Sequence, residues 1–372
     1  MGSSSRPHAA IFLCGDVMTG RGIDQILPHR GDPTLREPVV TDARTYVALA
    51  EKVNGPIPAP VDFGWPWGEA MPLIDECAPD IRLINLETSI TAGGEFASRK
   101  AVHYRMHPDN IGCLTAIRPD ACALANNHIF DFGVRGLSDT LHALTDAEIR
   151  GVGAGLDADE AERPAVVSLA GGGRGVIGAC GMQSSGIPHH WAAGENRCGV
   201  ALSDPSDRGA AEVADRVLAL KRPGDVAMVS VHWGSNWGYD VESSHVRFAH
   251  RLIDAGIDVV HGHSSHHPRP IEVYRGKLIL YGCGDTIDDY EGIRTYEAFR
   301  HELRLLYFAS IERDSGNLSA LRMMPMRMRR MRLEHVTSDE ATWLRSTVEE
   351  MSQRFDTHVD SASGGFLTVR AG

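Results

Sequence analysis

Four histidines fall within seven positions of the run VVHGHSSHHPRPIEVY: His261, His263, His266 and His267. Imidazole titrates near neutral pH and is the commonest side-chain metal ligand, so this density points to metal binding or acid/base chemistry rather than packing. Alternation along the turn directs His263 and His266 inward and makes one or both of His261 and His267 structural. A second cluster, ALANNHIFDFG, offers three groups. The Asn127 amide oxygen is a neutral ligand for a cation, His128 can exchange a proton, and Asp131 can hold that imidazole in one tautomer.

Other polar residues close apolar runs in the same way. Asp16 does so in LCGDVMTGRG, Glu87 in INLETSI and His232 in SVHWGSNWGYD, where Trp233 and Trp237 can wall a pocket or simply pack. In LYGCGDTIDDYEG, Asp285 can pair with an active-site histidine, or the run can be a solvated acidic turn with Asp288, Asp289 and Glu291.

The elements that must position these residues are short. Apolar runs predict strands at 9–14, 81–87, 121–127, 175–180, 226–233, 259–263 and 277–285. Helical spacing predicts helices at 134–147, 207–222 and 244–256, the last stopped by Gly256. The alternation gives an α/β fold, read as a single domain over 1–372, with the polar clusters at strand C-termini, where open α/β sheets bind their ligands. Segment 53–72, rich in proline and glycine and carrying Trp65 and Trp67, reads as a lid or substrate loop, or equally as a wrap over the core. Met and Arg alternate in 322–335, as in a strand with one buried and one charged face, and 336–372 reads as a helix followed by a short extended tail.

With 42% hydrophobic residues and a formal charge of −12, the chain has material for a large core and lacks the basic surface of a general nucleic-acid binder. No window approaches the ~20 apolar residues of a membrane span, and MGSSSRPHAA lacks a leader's apolar core, so the expectation is a cytoplasmic protein without a membrane partner. Seven scattered cysteines without a CxxC pair read as buried thiols.

Taken in order, GD, NLE, ANNHxxDxG, HWG and GHxxHxxxxIE from Ile11 to Tyr290 resemble the CapA, or poly-γ-glutamate capsule-synthesis (PGA_cap), family, itself similar to the calcineurin-like metallophosphoesterases. The resemblance implies a sandwich of two central mixed β-sheets flanked by helices. It places Asp16, Glu87, Asn127, His232, His263 and His266 where metal-site residues are expected, and His128 where phosphoesterases keep a catalytic histidine. Two residues after Asp16, where phosphoesterases supply another histidine, stands Met18.

The sequence also resembles a branch of CapA-like epimerases that invert the C-terminal residue of lasso-peptide precursors. That implies an isomerase with a precursor-peptide partner, and such chemistry needs two acid/base groups flanking one α-carbon. Catalytic candidates are His128, Asp131, His263, His266 and Asp285. His128 can pair with Asp131 or Asp16, and His263 or His266 with Asp285. Trp233, Trp237, Trp65 and Trp67 are candidates for contact with an aromatic end-residue, tryptophan above all. The oxygen-rich donor set favours Ca²⁺, Mg²⁺ or Mn²⁺, with no organic cofactor, and histidine ligation shifts the balance toward Mn²⁺. The alternative is a metal-dependent hydrolase or ligase acting on phosphoesters or γ-glutamyl peptides.

Overall fold

The computed structural model describes residues 7–372; residues 1–6, on which part of the leader reading rests, lie outside it. Two mixed sheets carry the chain. The first is ten-stranded and centred on His8–Val17, which pairs in parallel with Ile81–Leu86 and antiparallel with Leu303–Glu312. Beyond Ile81–Leu86 lie Ala121–Ala123 and Arg150–Val152. The second, six-stranded sheet runs in the order Ile271–Tyr274, Lys277–Leu280, Val259–His263, Val226–His232, Arg174–Gly181, Ala165–Ser168.

One large core takes Leu13 and Leu83 from the first sheet and Ile177, Met228 and Val259 from the second, so the sheets face one another across it. A second core lies where helices Asp207–Leu218 and Ser243–Ala255 pack Val213, Phe248 and Leu252 against Val229 and Val260 of the second sheet. Covered on both faces, the central strands need apolar residues at every position rather than at alternate ones. Val226–His232 is buried throughout.

Several expectations need correction. The predicted strand 277–285 is two strands: Lys277–Leu280 belongs to the second sheet and Asp285–Ile287 to the first, where it runs parallel to His8–Val17. The crossing passes so close to the first strand that a Cβ on Gly15 would lie 1.6 Å from the Gly284 carbonyl oxygen. Strand 121–127 stops at Ala123, leaving Asn126, Asn127 and His128 in the turn that follows.

Segment 53–72 is a wrap, because Ile57, Val61 and Trp67 are buried in the main core. Beyond helix Ser338–Ser352, the chain end forms a hairpin, Thr357–Ser361 with Leu367–Ala371, that joins the edge of the first sheet. In the Met/Arg stretch, Leu318–Met328 and Leu333–His335 are strands that bury Met323, Met326 and Met328. Arg327 pairs with Glu334 and Glu340, and Arg330, in the turn between the strands, with Glu334. Among the described residues no helix is long and apolar enough to cross a membrane.

Candidate active site

The C-terminal ends of the inner strands of both sheets meet at one place. His232 and His263 are register partners at the ends of parallel strands. Asp16 ends its strand beside Asp285, after a register shift that falls between Leu13 and Asp16 in the pairing with Ile81–Leu86. An irregularity of this kind re-aims a side chain without ending the sheet.

Two groups of donor atoms share Asp16: Asp16 with His232 and His263, and Asp16 with His266 and Asp285, the atoms of each group lying within 4.8 Å of one another. Glu87 adjoins both histidine arms, its Oε1 lying 3.7 Å from His128 Nε2 and 3.9 Å from His232 Nε2. Asn85 ties the carboxylates together by donating to Asp16 Oδ1 at 2.7 Å and to Glu87 Oε2 at 3.2 Å. Asn127 Oδ1 is 3.0 Å from His232 Nε2.

Two histidine–carboxylate dyads flank this centre. His128 Nδ1 donates to Asp131 Oδ2 at 2.6 Å, and His266 Nδ1 to Asp285 Oδ1 at 2.8 Å. The open pairings thus resolve to His128 with Asp131 and His266 with Asp285. His263 instead turns its Nδ1 to within 2.7 Å of His232 Nδ1. Of the other histidines in the cluster, His261 points to the Cys14 carbonyl, while His267 bonds to the main chain of Pro268 and Gly238.

The environments set the two dyads apart. Burial pulls the His128 imidazolium down to about 4 despite Asp131. Burial also opposes charge on His266, but Asp285, seconded by Asp16, overrides it and raises the pKa. The surroundings thus disfavour charge on one ring and favour it on the other, the difference an acid/base pair requires. Burial and the charge of Asp285 lift Asp16 to about 7, and burial with Asp16 lifts Glu87 well above the usual range.

The donor set fits a divalent cation. Three carboxylates, Asp16, Glu87 and Asp285, are buried together. Asp285 Oδ2 is buried and receives no hydrogen bond among the described residues. Mutual repulsion of this kind is relieved by a metal ion, and oxygen with imidazole nitrogen suits Mn²⁺ among the hard cations.

Several residues at the site carry no motif. Lys100, from an irregular loop, reaches Asp131 Oδ1 and the Asn127 carbonyl and stands 3.0 Å from His128 Nδ1. Tyr104 donates its main-chain N–H to Asp131 Oδ2 at 2.6 Å. Neither has a spacing that marks it; only the fold brings them in. Met18 is buried beneath Tyr290, whose hydroxyl donates to its sulfur at 3.6 Å.

A cavity of about 230 Å³ opens beside His266, walled by Arg21, Tyr104, Trp237, Tyr290 and Tyr296. A neighbouring cavity of about 490 Å³ shares Ile293 and His301 with it. Of the four tryptophans expected to meet a substrate, Trp237 alone borders this space. Trp233 is buried between His245 and Tyr281, and its Nε1 donates to the Tyr281 carbonyl at 2.9 Å. Trp67 is fully buried, donating to the Cys113 carbonyl at 2.7 Å, and Trp65 packs on the core and donates to the Arg330 carbonyl at 3.0 Å. The indoles at 65, 67 and 233 are structural because their apolar faces fill the cores and their N–H groups are satisfied by main-chain oxygens.

Residues 10–290 match the family described as bacterial capsule synthesis protein PGA_cap. The chain belongs to that family. Its relatives include two proteins of Mycobacterium tuberculosis named as probable polyglutamine synthesis accessory proteins, each 58% identical over 361 residues, covering 96% of this chain and 95% of the relative. The PGA biosynthesis protein CapA of Bacillus subtilis is 27% identical over 216 residues, covering 58% of this PGA_cap chain and 54% of that one. The capsule biosynthesis protein CapA of Bacillus anthracis is 26% identical over 215 residues, covering 58% and 49%.

Proposed function

We propose that this PGA_cap protein is a cation-assisted peptide epimerase, inverting the α-carbon of the C-terminal residue, tryptophan in the first instance, of a ribosomal lasso-peptide precursor. The observation that carries the reading is the pair of dyads, His128–Asp131 and His266–Asp285, flanking one buried centre with each Nδ1 engaged by a carboxylate. That leaves Nε2 of each ring as the proton-transfer atom; the Asn236 side-chain amide, 3.0 Å from His266 Nε2, meets the imidazolium with its oxygen turned to the ring and the neutral ring with its nitrogen. Neutral His128 removes the α-proton, and His266, held as imidazolium by Asp285, delivers a proton to the opposite face; the reverse reaction exchanges their roles. The cavity against Trp237 and Tyr296 takes the aromatic end-residue, and the adjoining cavity takes the residues before it.

The residues that would hold the cation are Asp16, His232 and His263, because this set leaves both dyads free. Bound there, a divalent cation supplies positive charge toward the substrate oxygen on which negative charge develops. The facing mixed sheets and this donor set support assignment of the fold to the calcineurin-like metallophosphoesterase class.

A second reading is favoured by the relatives named for polyglutamine synthesis: hydrolysis or ligation of γ-glutamyl peptides or phosphoesters at the same cation. Incubation with Mn²⁺ and either a synthetic peptide ending in tryptophan or a γ-linked glutamate oligomer separates the two. Epimerisation yields the D-residue on chiral analysis with unchanged mass in ordinary water. Cleavage or extension of the glutamate oligomer without inversion of either substrate would replace the epimerase reading with the second.

A further inference from the structure

A line of hydrogen bonds behind His263 ends on a main-chain carbonyl, and its direction can be read from that end. In the parallel pairing of Val226–His232 with Val259–His263, Ser230 stands opposite His261 and His232 opposite His263. Residues two apart on a strand share a face, so these four side chains lie together. His261 Nε2 is 2.8 Å from the Cys14 carbonyl oxygen. A carbonyl only accepts, so Nε2 carries the proton. The ring is fully buried and has no carboxylate partner among the described residues; a charge there would be uncompensated, so the ring is neutral and its Nδ1 is bare.

Ser230 Oγ lies 3.0 Å from that bare Nδ1 and must give it its single proton. The hydroxyl oxygen is then an acceptor for His263 Nε2, 2.8 Å away. His263 therefore holds its own proton on Nε2 and turns the lone pair of Nδ1 toward His232, with which it shares the donor group that includes Asp16. We propose that Ser230 and His261 are positioning residues that fix the tautomer of His263, so that its Nδ1 is presented to the cation held with Asp16 and His232. The inference rests on the cation site of the proposed function and not on the epimerase chemistry.

The fit matters because a histidine ligand must offer a bare nitrogen, and the group bonded to its other nitrogen decides which one is bare. Left to itself, neutral imidazole divides between two tautomers. The Cys14 carbonyl cannot change its polarity, so it sets every donor along the line.

Two measurements on the full-length protein test this. Long-range ¹H–¹⁵N spectra of histidine-labelled, metal-free protein report the His263 tautomer, and calorimetric titration with Mn²⁺ reports affinity. The expected tautomer is Nε2–H. Ser230→Ala should weaken Mn²⁺ binding by about 10- to 100-fold, the usual effect of losing a group that orients a ligand, and Ser230→Thr, which keeps the hydroxyl, should restore it. An Nδ1–H tautomer, or wild-type affinity in Ser230→Ala, would overturn the proposal. Should Ser230→Ala not fold, the tautomer in wild-type protein decides alone. Absence of Mn²⁺ binding by the wild-type chain would remove the site and this role with it, whereas α-hydron exchange would still be measurable independently.

Discussion

Asp16 and Asp285 are register partners in parallel strands, brought together where the chain leaves the second sheet and enters the first. The Asp16 N–H donates to the Gly284 carbonyl at 2.9 Å, and the space beside it is closed to any side chain on Gly15. Gly15→Ala should therefore push the strands apart, costing about 1–3 kcal/mol as overpacking does, and weaken Mn²⁺ binding by displacing Asp16 from His232 and His263. Urea denaturation together with Mn²⁺ titration checks both effects. Unchanged affinity in a destabilised variant would show that the crossing supports the fold but not the site.

Lys100 is a half-buried ammonium that binds the fully buried Asp131 and the Asn127 carbonyl. Burial lowers its pKa, while the charge of Asp131 opposes that. Lys100→Met removes the charge and leaves Asp131 with only His128 and the Tyr104 N–H. Breaking such a pair should cost about 3–5 kcal/mol of stability, readable by denaturant unfolding. Activity should fall as well, since the His128 ring loses the support of its partner carboxylate.

The tryptophans separate packing from recognition. Trp67→Ala should lower stability by about 3–5 kcal/mol, as for other large core truncations, with kinetics per folded molecule unchanged. Trp237→Ala should leave stability nearly intact and raise KM for a tryptophan-ended peptide, because its face lines the cavity beside His266. The opposite pattern would return the substrate role to segment 53–72.

These contrasts show what the sequence could and could not disclose. Strand ends were legible because strands buried on both faces are unbroken apolar runs, and the polar residue that ends each run stands out. Asp16, Glu87, Asn127, His232 and His263 were visible for that reason. The split at 281–284 was hidden because its glycines look like any turn; only the approach to Gly15 explains them. Lys100 and Tyr104 sit in irregular chain and reach the dyad through tertiary contact, which no local pattern records. The strand Leu303–Glu312 was readable in principle, since LRLLYFASIE is an apolar run of the same type. The terminal hairpin was masked by its short strands and by the glycines at 364 and 365, which belong to its turn.

Glu349 gives a pH test away from the site. Burial disfavours its carboxylate, but hydrogen bonds from the Gln353 side chain, the Val359 N–H and His358 outweigh that and hold the pKa at about 2, below the ordinary 4.5. A depressed pKa in the folded state adds stability above the unfolded value, and that stability is lost as pH falls through the folded value. Glu349→Gln should melt below wild type near neutrality, with the gap narrowing from about pH 5 to about pH 2, as the linkage requires. A gap independent of pH would mean that Glu349 contributes through packing alone.

The most direct test of the two-dyad account follows α-hydron exchange in heavy water for each antipode of a tryptophan-ended peptide, using His128→Phe and His266→Phe. If each imidazole serves one face, each variant abolishes epimerisation yet still exchanges the α-hydron of one antipode, and the two variants retain opposite antipodes. Loss of exchange from both antipodes in both variants, or exchange of both in either, would contradict the assignment of one dyad to each face.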